Sequence, residues 1–392
     1  MAMDLESIQR ALRDSRIDAW LFYDHHHRDP IAAAILGLPD NGLVSRRWYY
    51  AIPADGEPRK LVHRIESGKL DSLPGSKGVY SSWQELETGL DSMLAPWKRI
   101  AMQYSPRNAI MYVSMVDAGT IELLRSMDKE IVTSADLVSR FEAVLTEDQI
   151  DSHYVAQRAL DDILIEGFQH IGSRARFGQP ATEYEMMLWF QEAMHRAGLT
   201  TDHGPNVSVN ENSSDSHYEP LPQTSRPIVQ GSFLLIDIWA RQNRPASCWY
   251  DITWTGVVGR EPTEQERVVF AVVRDARDAA IQTVRSAFTD GGHPVAGYEA
   301  DDAARAVIRN AGYGPYFTHR TGHNIGAELH GRGAHLDNLE THDDRRILPF
   351  TCFSVEPGVY LPQFGIRSEI NMITSRDNAV VTGRIQRDLV RI

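Results

Sequence analysis

GQPATEYEMMLWFQEAMHRAGL, residues 178–199, aligns without gaps on GHPVAGYEADDAARAVIRNAGY, residues 292–313, an offset of 292 − 178 = 114. Gly, Pro, Tyr, Glu, Ala and Gly coincide between the two stretches. Part of the match is ordinary helix punctuation, because proline suits a first turn and glycine the position after a last one. The pairs Tyr184/Tyr298 and Glu185/Glu299 are read as lying outside that punctuation, which points to a duplicated unit. Each copy follows a helical stretch and precedes an apolar, β-rich segment. Two related helix-plus-sheet halves are therefore expected, with a site between them.

The segment after the first copy contains SFLLIDIWA (232–240) and CWYDITWTG (248–256), which carry Asp237 and Asp251 and are joined by the polar ARQNRPASCW. This layout predicts an antiparallel pair with both carboxylates on one face. For these two alone, strand-end acids capping turns are an equal alternative. The segment after the second copy contains HRTGHNIGAELHG (319–331), CFSVEPGVY (352–360) and GIRSEINM (365–372). A second hairpin is expected around Leu361 to Phe364, carrying Glu356 and Glu369. His319, His323 and His330 crowd into one short stretch, where Gly322 and Gly326 are expected to allow close backbone approach. Charges in such apolar runs are expensive to bury unpaired. Asp237, Asp251, His323, Glu356 and Glu369 therefore need a common explanation. Four carboxylates and one imidazole suit two divalent ions of the Mn, Co, Zn or Fe kind.

The 392 residues are too many for one ordinary domain and comfortable for two. Residues 1–140 alternate strand-like runs (DAWLFYD, WYYAIPA, LVHRI, RIAMQYS, EIVTSA) with helical spacing, as in a layered α/β domain. From about 150 the chain turns helical, with Ala156, Ala159, Leu160, Ile163 and Leu164 on one face and Gln157, Arg158, Asp161 and Asp162 on the other. Domains of 1–140 and 150–392 are expected. A net charge of −13 argues against non-specific nucleic-acid binding. The two cysteines, Cys248 and Cys352, lack metal-ligand spacing, so neither a zinc ribbon nor a disulfide framework is indicated. The charged N-terminus has no apolar signal-peptide core and no stretch is long enough to span a bilayer, so a cytoplasmic soluble protein is the expectation. The run His25-His26-His27 is read as a solvated loop, because adjacent side chains on an extended chain diverge.

In this order, these segments resemble the pita-bread metallopeptidases: methionine aminopeptidase, aminopeptidase P and prolidase, with creatinase as a metal-free cousin. The resemblance covers about residues 150–392. Residues 1–140 are similar to the additional α/β domain of aminopeptidase P, prolidase and creatinase. The implied fold is α/β plus α+β, a creatinase-like domain followed by a pita-bread domain of two pseudo-symmetric halves. The implied ligand roles are Asp237 on one ion, His323 and Glu356 on the other, and Asp251 and Glu369 bridging. Manganese is the first expectation, with cobalt, zinc or iron as alternatives. Glu356 is also implied as the proton shuttle. His217 in SHYEP and His330 are implied to contact the substrate and steady the tetrahedral intermediate, and Arg367 to orient a bridging carboxylate. The chain departs from the family pattern in a wider Asp237–Asp251 spacing and in Trp254, which stands where relatives have arginine.

The implied activity is hydrolysis of the Xaa-Pro bond in short peptides by a likeness to prolidase, a dipeptidase, by a homodimer that binds neither nucleic acid nor membrane. The alternatives are aminopeptidase P action on longer peptides, C–N hydrolysis or lyase chemistry on a small non-peptide substrate, and a non-catalytic binding module. A dipeptidase must recognise a free carboxylate, preferably with arginine. Arg345 and Arg346 are the nearest candidates in the sequence, with surface pairing to Asp343 and Asp344 as their other reading.

Overall fold

The computed structural model describes residues 3–39, 42–289 and 293–392. It divides into two compact units, Met1–Glu142 and Ala143–Ile392. Gly292, the first residue of the second repeat copy, lies outside the described residues.

In the first unit, strands β1 (Ala19–Asp24), β2 (Trp48–Pro53), β3 (Arg59–His63), β4 (Ser76–Tyr80), β5 (Arg99–Met102) and β6 (Glu130–Thr133) form one sheet in the order β4-β3-β2-β1-β5-β6. Helices α1 (Leu5–Asp14), α2 (Pro30–Leu36), α3 (Trp83–Leu94), α4 (Ala118–Ser126) and α5 (Ala135–Val138) accompany it. The run AWLFY is apolar because both faces of β1 are covered. Trp20 and Phe22 enter one core, Leu21 and Tyr23 the other. His26 and His27 are exposed and in left-handed backbone conformation, so this run is a turn and not an extended segment. The ring of His27 bonds to the carbonyl of Gly42 at 2.6 Å.

The second unit opens with α6 (Glu147–Arg176), whose start is closed by a capping box between Thr146 and Gln149. Ala156, Leu160, Ile163 and Leu164 are buried along it as the spacing predicts. Asp161, expected on the polar face, is buried instead. Its carboxylate accepts hydrogen bonds from the Tyr250 hydroxyl at 2.7 Å, the Gln157 amide at 2.6 Å and the Arg384 N–H at 3.1 Å. These bonds satisfy a group that sequence periodicity alone assigns to solvent.

Helices α7 (Glu183–Arg196) and α9 (Gly297–Asn310) begin and end 114 residues apart, since 297 − 183 and 310 − 196 give the same offset. The Glu185 carboxylate accepts from the Thr182 N–H at 2.8 Å and that of Glu299 from the Ala296 N–H at 2.7 Å. The repeated glutamate is thus helix punctuation after all, the closing half of an N-terminal cap. Between and after these helices lie β7 (Leu199–Thr200), β8 (Asn206–Val209), β9 (Phe233–Gln242), β10 (Tyr250–Val257), α8 (Glu264–Phe288), β11 (Asn324–Ile325), β12 (Cys352–Val355), β13 (Gly358–Leu361), β14 (Phe364–Arg367), β15 (Ile370–Thr374), β16 (Ala379–Thr382) and β17 (Val390–Arg391). One sheet runs β17-β10-β9-β7, with β8 also paired to β9. A second runs β11-β12-β15-β16, and β13-β14 form a separate ribbon. Leu160, Phe168, Phe190, Ile236 and Ile252 fill the core of the first half. Phe270, Ala300, Phe353, Ile366 and Met372 help fill that of the second.

Candidate metal centre

Asp237 and Thr253 face each other across the β9–β10 ladder, and Asp251 lies two residues before Thr253. Side chains alternate along a strand, so these three share one face. Trp254 takes the opposite face and packs on the core of the first half. The loop 243–249 folds against the start of α6 through an ion pair of Arg244 with Asp148 at 2.7 Å.

The expected second hairpin is divided into two tiers. Val355 pairs with Ile370 in one ladder and Gly358 with Arg367 in the next. Glu356 and Glu369 sit in the break, where their N–H groups find partners outside the hairpin. The Glu369 N–H donates to the Thr253 carbonyl at 3.1 Å and the Glu356 N–H to the Thr321 carbonyl at 2.7 Å. Both carboxylates are thereby turned towards the segment bearing His323 and the face bearing Asp251.

His323 is buried, with its N–H donating to Ser354 Oγ at 2.9 Å. The approach depends on Gly322, where an added Cβ would fall 2.0 Å from the Ser354 carbonyl oxygen. The same expectation does not hold for Gly326, around which a Cβ would meet nothing within 4 Å. His323 Nε2 lies 3.6 Å from Asp251 Oδ2 and 3.4 Å from Glu356 Oε1. Donor atoms of Asp251, His323 and Glu369 lie within 4.8 Å of one another. Asp237 joins them through Thr253, whose Oγ1 is 2.9 Å from Asp237 Oδ1 and 2.7 Å from Glu369 Oε2. The structure therefore brings all five sequence-selected side chains to one place.

Arg367 is buried beside this set. It pairs with Asp237 Oδ2, donates from Nε to Thr253 Oγ1 at 3.1 Å and lies 3.9 Å from Glu356 Oε2. Its direct partner is Asp237 and not one of the carboxylates expected to bridge. Burial and the charges of neighbouring carboxylates push Asp251 and Glu369 well above the usual carboxylate range. Burial likewise pushes Glu356 up to about 7, against the opposing pull of Arg367. Burial holds His323 far below its usual pKa, hence neutral, as a metal ligand must be. Asp251 Oδ1 and Glu369 Oε1 are buried without a hydrogen-bond partner among the described residues. Such oxygens need a cation, and carboxylates with one neutral imidazole fit divalent ions.

His330 packs its ring edge against His323, 4.3 Å between centroids, and opens to solvent on its other side. His217 is exposed and follows Ser216, whose carbonyl accepts from Arg367 Nη1 at 3.3 Å, which brings its loop to the same set. Its loop is held by the Tyr218 hydroxyl donating to Glu183 at 2.7 Å. Neither arginine expected to meet a substrate carboxylate is so placed. Arg345 is buried and committed to Asp343 at 2.6 Å, while Arg346 reaches Glu299 at 3.9 Å and the Pro294 carbonyl at 2.5 Å. Sequence reasoning missed Thr253, although its place two residues after Asp251 on a strand was a usable signal. It also missed Tyr360, whose hydroxyl is 2.6 Å from His319 Nε2 and 3.0 Å from Arg367 Nη1.

A buried carboxylate–histidine set shared by two repeated halves is a candidate divalent-metal centre. The chain belongs to metallopeptidase family M24, whose model matches residues 152–381. It is 26% identical over 306 residues to a Xaa-Pro dipeptidase of Lactobacillus delbrueckii subsp. lactis, covering 76% of this chain and 77% of that protein. It is 25% identical over 270 residues to a Xaa-Pro dipeptidase of Pyrococcus furiosus, covering 68% and 70%. In fold it matches the dipeptidase PepE of Mycobacterium ulcerans with a TM-score of 0.71 and 19% identity, covering 99% and 96% of the two chains. It also matches a prolidase of Thermococcus sibiricus with a TM-score of 0.63 and 18% identity, covering both chains fully at 100%. The architecture is thus the pita-bread fold that the sequence resembles, and the family implies divalent metals. Among the described residues, no helix is long and apolar enough to cross a membrane.

Proposed function

We propose that the chain is a two-metal exopeptidase that hydrolyses the Xaa-Pro bond of dipeptides. The observation that carries this reading is the buried, under-neutralised carboxylate set in a chain of this metallopeptidase family. Asp237, Asp251, His323, Glu356 and Glu369 would hold the ions, manganese being our first choice. When bound, the ions supply an activated water and polarise the scissile carbonyl.

The remaining work falls to the chain. Glu356, 3.4 Å from His323 Nε2 and 3.9 Å from the Arg367 guanidinium, is the group we assign to accept a proton and return it to the leaving prolyl nitrogen. Its Oε1 accepts from the Ser354 hydroxyl at 3.0 Å, which orients the carboxylate. His330 and His217, on the rim, donate hydrogen bonds to the substrate carbonyl region, where one well-placed donor is worth about 2.7–4 kcal/mol. Arg367 and Thr253 fix Asp237 and so position it. Arg320, whose charge acts on Glu356, His323 and His330, is the cation we assign to the C-terminal carboxylate of a dipeptide.

We further read residues 1–140 as the creatinase/prolidase-like domain, residues 150–392 as the catalytic domain, and the protein as a cytoplasmic homodimer. Two free buried cysteines support a reducing compartment. The test compares Ala-Pro, its C-terminal amide and Ala-Pro-Ala on manganese-loaded enzyme. Preference for Ala-Pro is expected. Equal cleavage of the tripeptide would make the protein an aminopeptidase, and cleavage of none, or full turnover after exhaustive chelation, would overturn the metallopeptidase reading.

A further inference from the structure

His153 on α6, Cys248 in the loop before β10 and Cys352 at the start of β12 share no residue with the carboxylate centre. Yet their donor atoms also lie within 4.8 Å of one another. All three side chains are 0% exposed. Cys352 Sγ is 3.9 Å from His153 Nδ1. Leu145, Trp249, Ile325 and Ile373 surround the thiols. These are the only cysteines of the chain, they are 352 − 248 = 104 residues apart, and both are free. Cys248 belongs to the first half of the second unit and Cys352 to the second half.

We propose that His153, Cys248 and Cys352 form a binding site for a thiophilic divalent cation of the zinc class, which fastens the two halves together. The inference does not depend on the peptidase reading. Softness is the first argument, because thiolate and imidazole donors select zinc-like ions while carboxylates suit harder ones. Charge is the second. Two thiolates and a neutral imidazole neutralise a divalent cation completely, as a site enclosed by apolar side chains requires. A monovalent ion would leave a buried negative charge.

Geometry is the third argument. A tetrahedral zinc site with bonds of about 2.3 Å to sulfur and 2.0 Å to nitrogen sets those donors about 3.5 Å apart. The observed sulfur–nitrogen distance of 3.9 Å needs only a small contraction. The Trp249 carbonyl, 2.6 Å from His153 Nδ1 and 3.6 Å from Cys248 Sγ, becomes a fourth donor once it draws back from Nδ1 to about 3.3 Å. Without a cation, Nδ1–H donates to that carbonyl and Nε2 accepts from Thr382 Oγ1 at 2.8 Å. On binding, the imidazole proton moves to Nε2 and is donated to Thr382, whose own hydroxyl turns to the Asn371 carbonyl at 3.5 Å. A cation, two thiols and a neutral imidazole thus give a neutral complex and two protons released to solvent, with no change of oxidation state. Thr382 becomes the outer partner that fixes the ligating ring.

The test uses the full chain with its carboxylate centre saturated with manganese, and cadmium as the probe. Any ultraviolet sulfur-to-cadmium charge-transfer band reports this site alone, since the protein has no other thiol. One equivalent should saturate the band with release of two protons. Cys248→Ser and Cys352→Ser should each abolish the saturable band, and Thr382→Val should weaken cadmium binding roughly 10–100-fold while keeping it. Absence of the band in the wild type, or its persistence in either serine variant, overturns the proposal. X-ray absorption on the zinc-loaded wild type gives a check that needs no variant. Two sulfurs at about 2.3 Å support the site, and a shell of oxygen and nitrogen alone overturns it.

Discussion

The hydroxyl of Thr253 lies 2.7 Å from Oε2 of Glu369, and the Glu369 N–H in turn donates to the Thr253 carbonyl at 3.1 Å. One residue of the first half thus holds a glutamate of the second by both backbone and side chain. The same hydroxyl accepts from Arg367 Nε at 3.1 Å and sits 2.9 Å from Asp237. Thr253→Val keeps the shape and the strand preference but removes this junction. Loss of such an outer partner costs roughly 10–100-fold in metal affinity or activity. We expect that loss in both kcat and manganese affinity, with Thr253→Ser restoring most of it. Wild-type kcat and affinity in the valine variant would remove Thr253 from the site.

The same junction shows why some of the centre was legible in the sequence and some was not. Four of the five proposed ligands stand out because each is a carboxylate in or beside an apolar, strand-like run, where solvation is lost and an explanation is needed, and His323 stands out by its crowding with His319 and His330 among glycines. Thr253 carries no charge, and threonine is at home in a strand, so only its place on the same strand face as Asp251 marks it. Arg345 carried two readings, a substrate contact and a pairing with the neighbouring aspartates. The pairing with Asp343 is the one found, closed within two residues and buried where the surface was expected. The repeat was readable as a 114-residue offset, whereas the role of its glutamates needed the capping hydrogen bonds to be seen. Asp161 failed the helix-face reading because its partners Tyr250 and Arg384 come from remote strands and loops.

Gly322 is the backbone counterpart of Thr253. A methyl group there would meet the Ser354 carbonyl oxygen at 2.0 Å, and the obstacle is backbone, which cannot rotate away. Gly322→Ala should push the His323 segment off β12, breaking the 2.9 Å bond between the His323 N–H and Ser354 Oγ. Overpacking of this kind costs about 1–3 kcal/mol. A lower urea midpoint together with weakened manganese binding is the expected result. Gly326→Ala, with open space around it, is the control and should leave both near wild type.

Acid stability offers a test of the buried histidines. Burial holds His335 well below its usual pKa, with Arg320 acting in the same direction, and brings His319 down to about 3, with Arg367 second. An unfolded histidine takes a proton near pH 6.5, whereas these folded ones do not. The contribution of His319 is therefore fully present above about pH 6.5 and is lost as pH falls towards 3, by up to about 1.4 kcal/mol per pH unit, and that of His335 is lost in the same direction. The raised carboxylates act in the opposite sense in metal-free protein, so the difference between variants is the quantity to measure. Stability of His319→Gln should fall less steeply than wild type between about pH 6.5 and 4.5. Parallel profiles would show that His319 is not held neutral.

Arg320 is the residue we propose to discriminate dipeptides from longer peptides. It precedes His323 by three residues, and its positive charge acts on Glu356, His323, His330 and His335. Arg367 is paired with Asp237 and Arg345 with Asp343. A dipeptide ends one residue past the cleaved bond, so its carboxylate must be met close to the catalytic glutamate. A hydrogen bond to a charged group contributes about 1.5–3 kcal/mol, or roughly ten- to hundredfold in KM. Arg320→Gln should raise the KM for Ala-Pro by that factor with kcat changed little, and leave the KM for Ala-Pro amide unchanged. Arginine placed merely to support the fold would affect acid and amide alike. Equal losses on both substrates, measured on variants with wild-type manganese content, would therefore move the carboxylate site elsewhere.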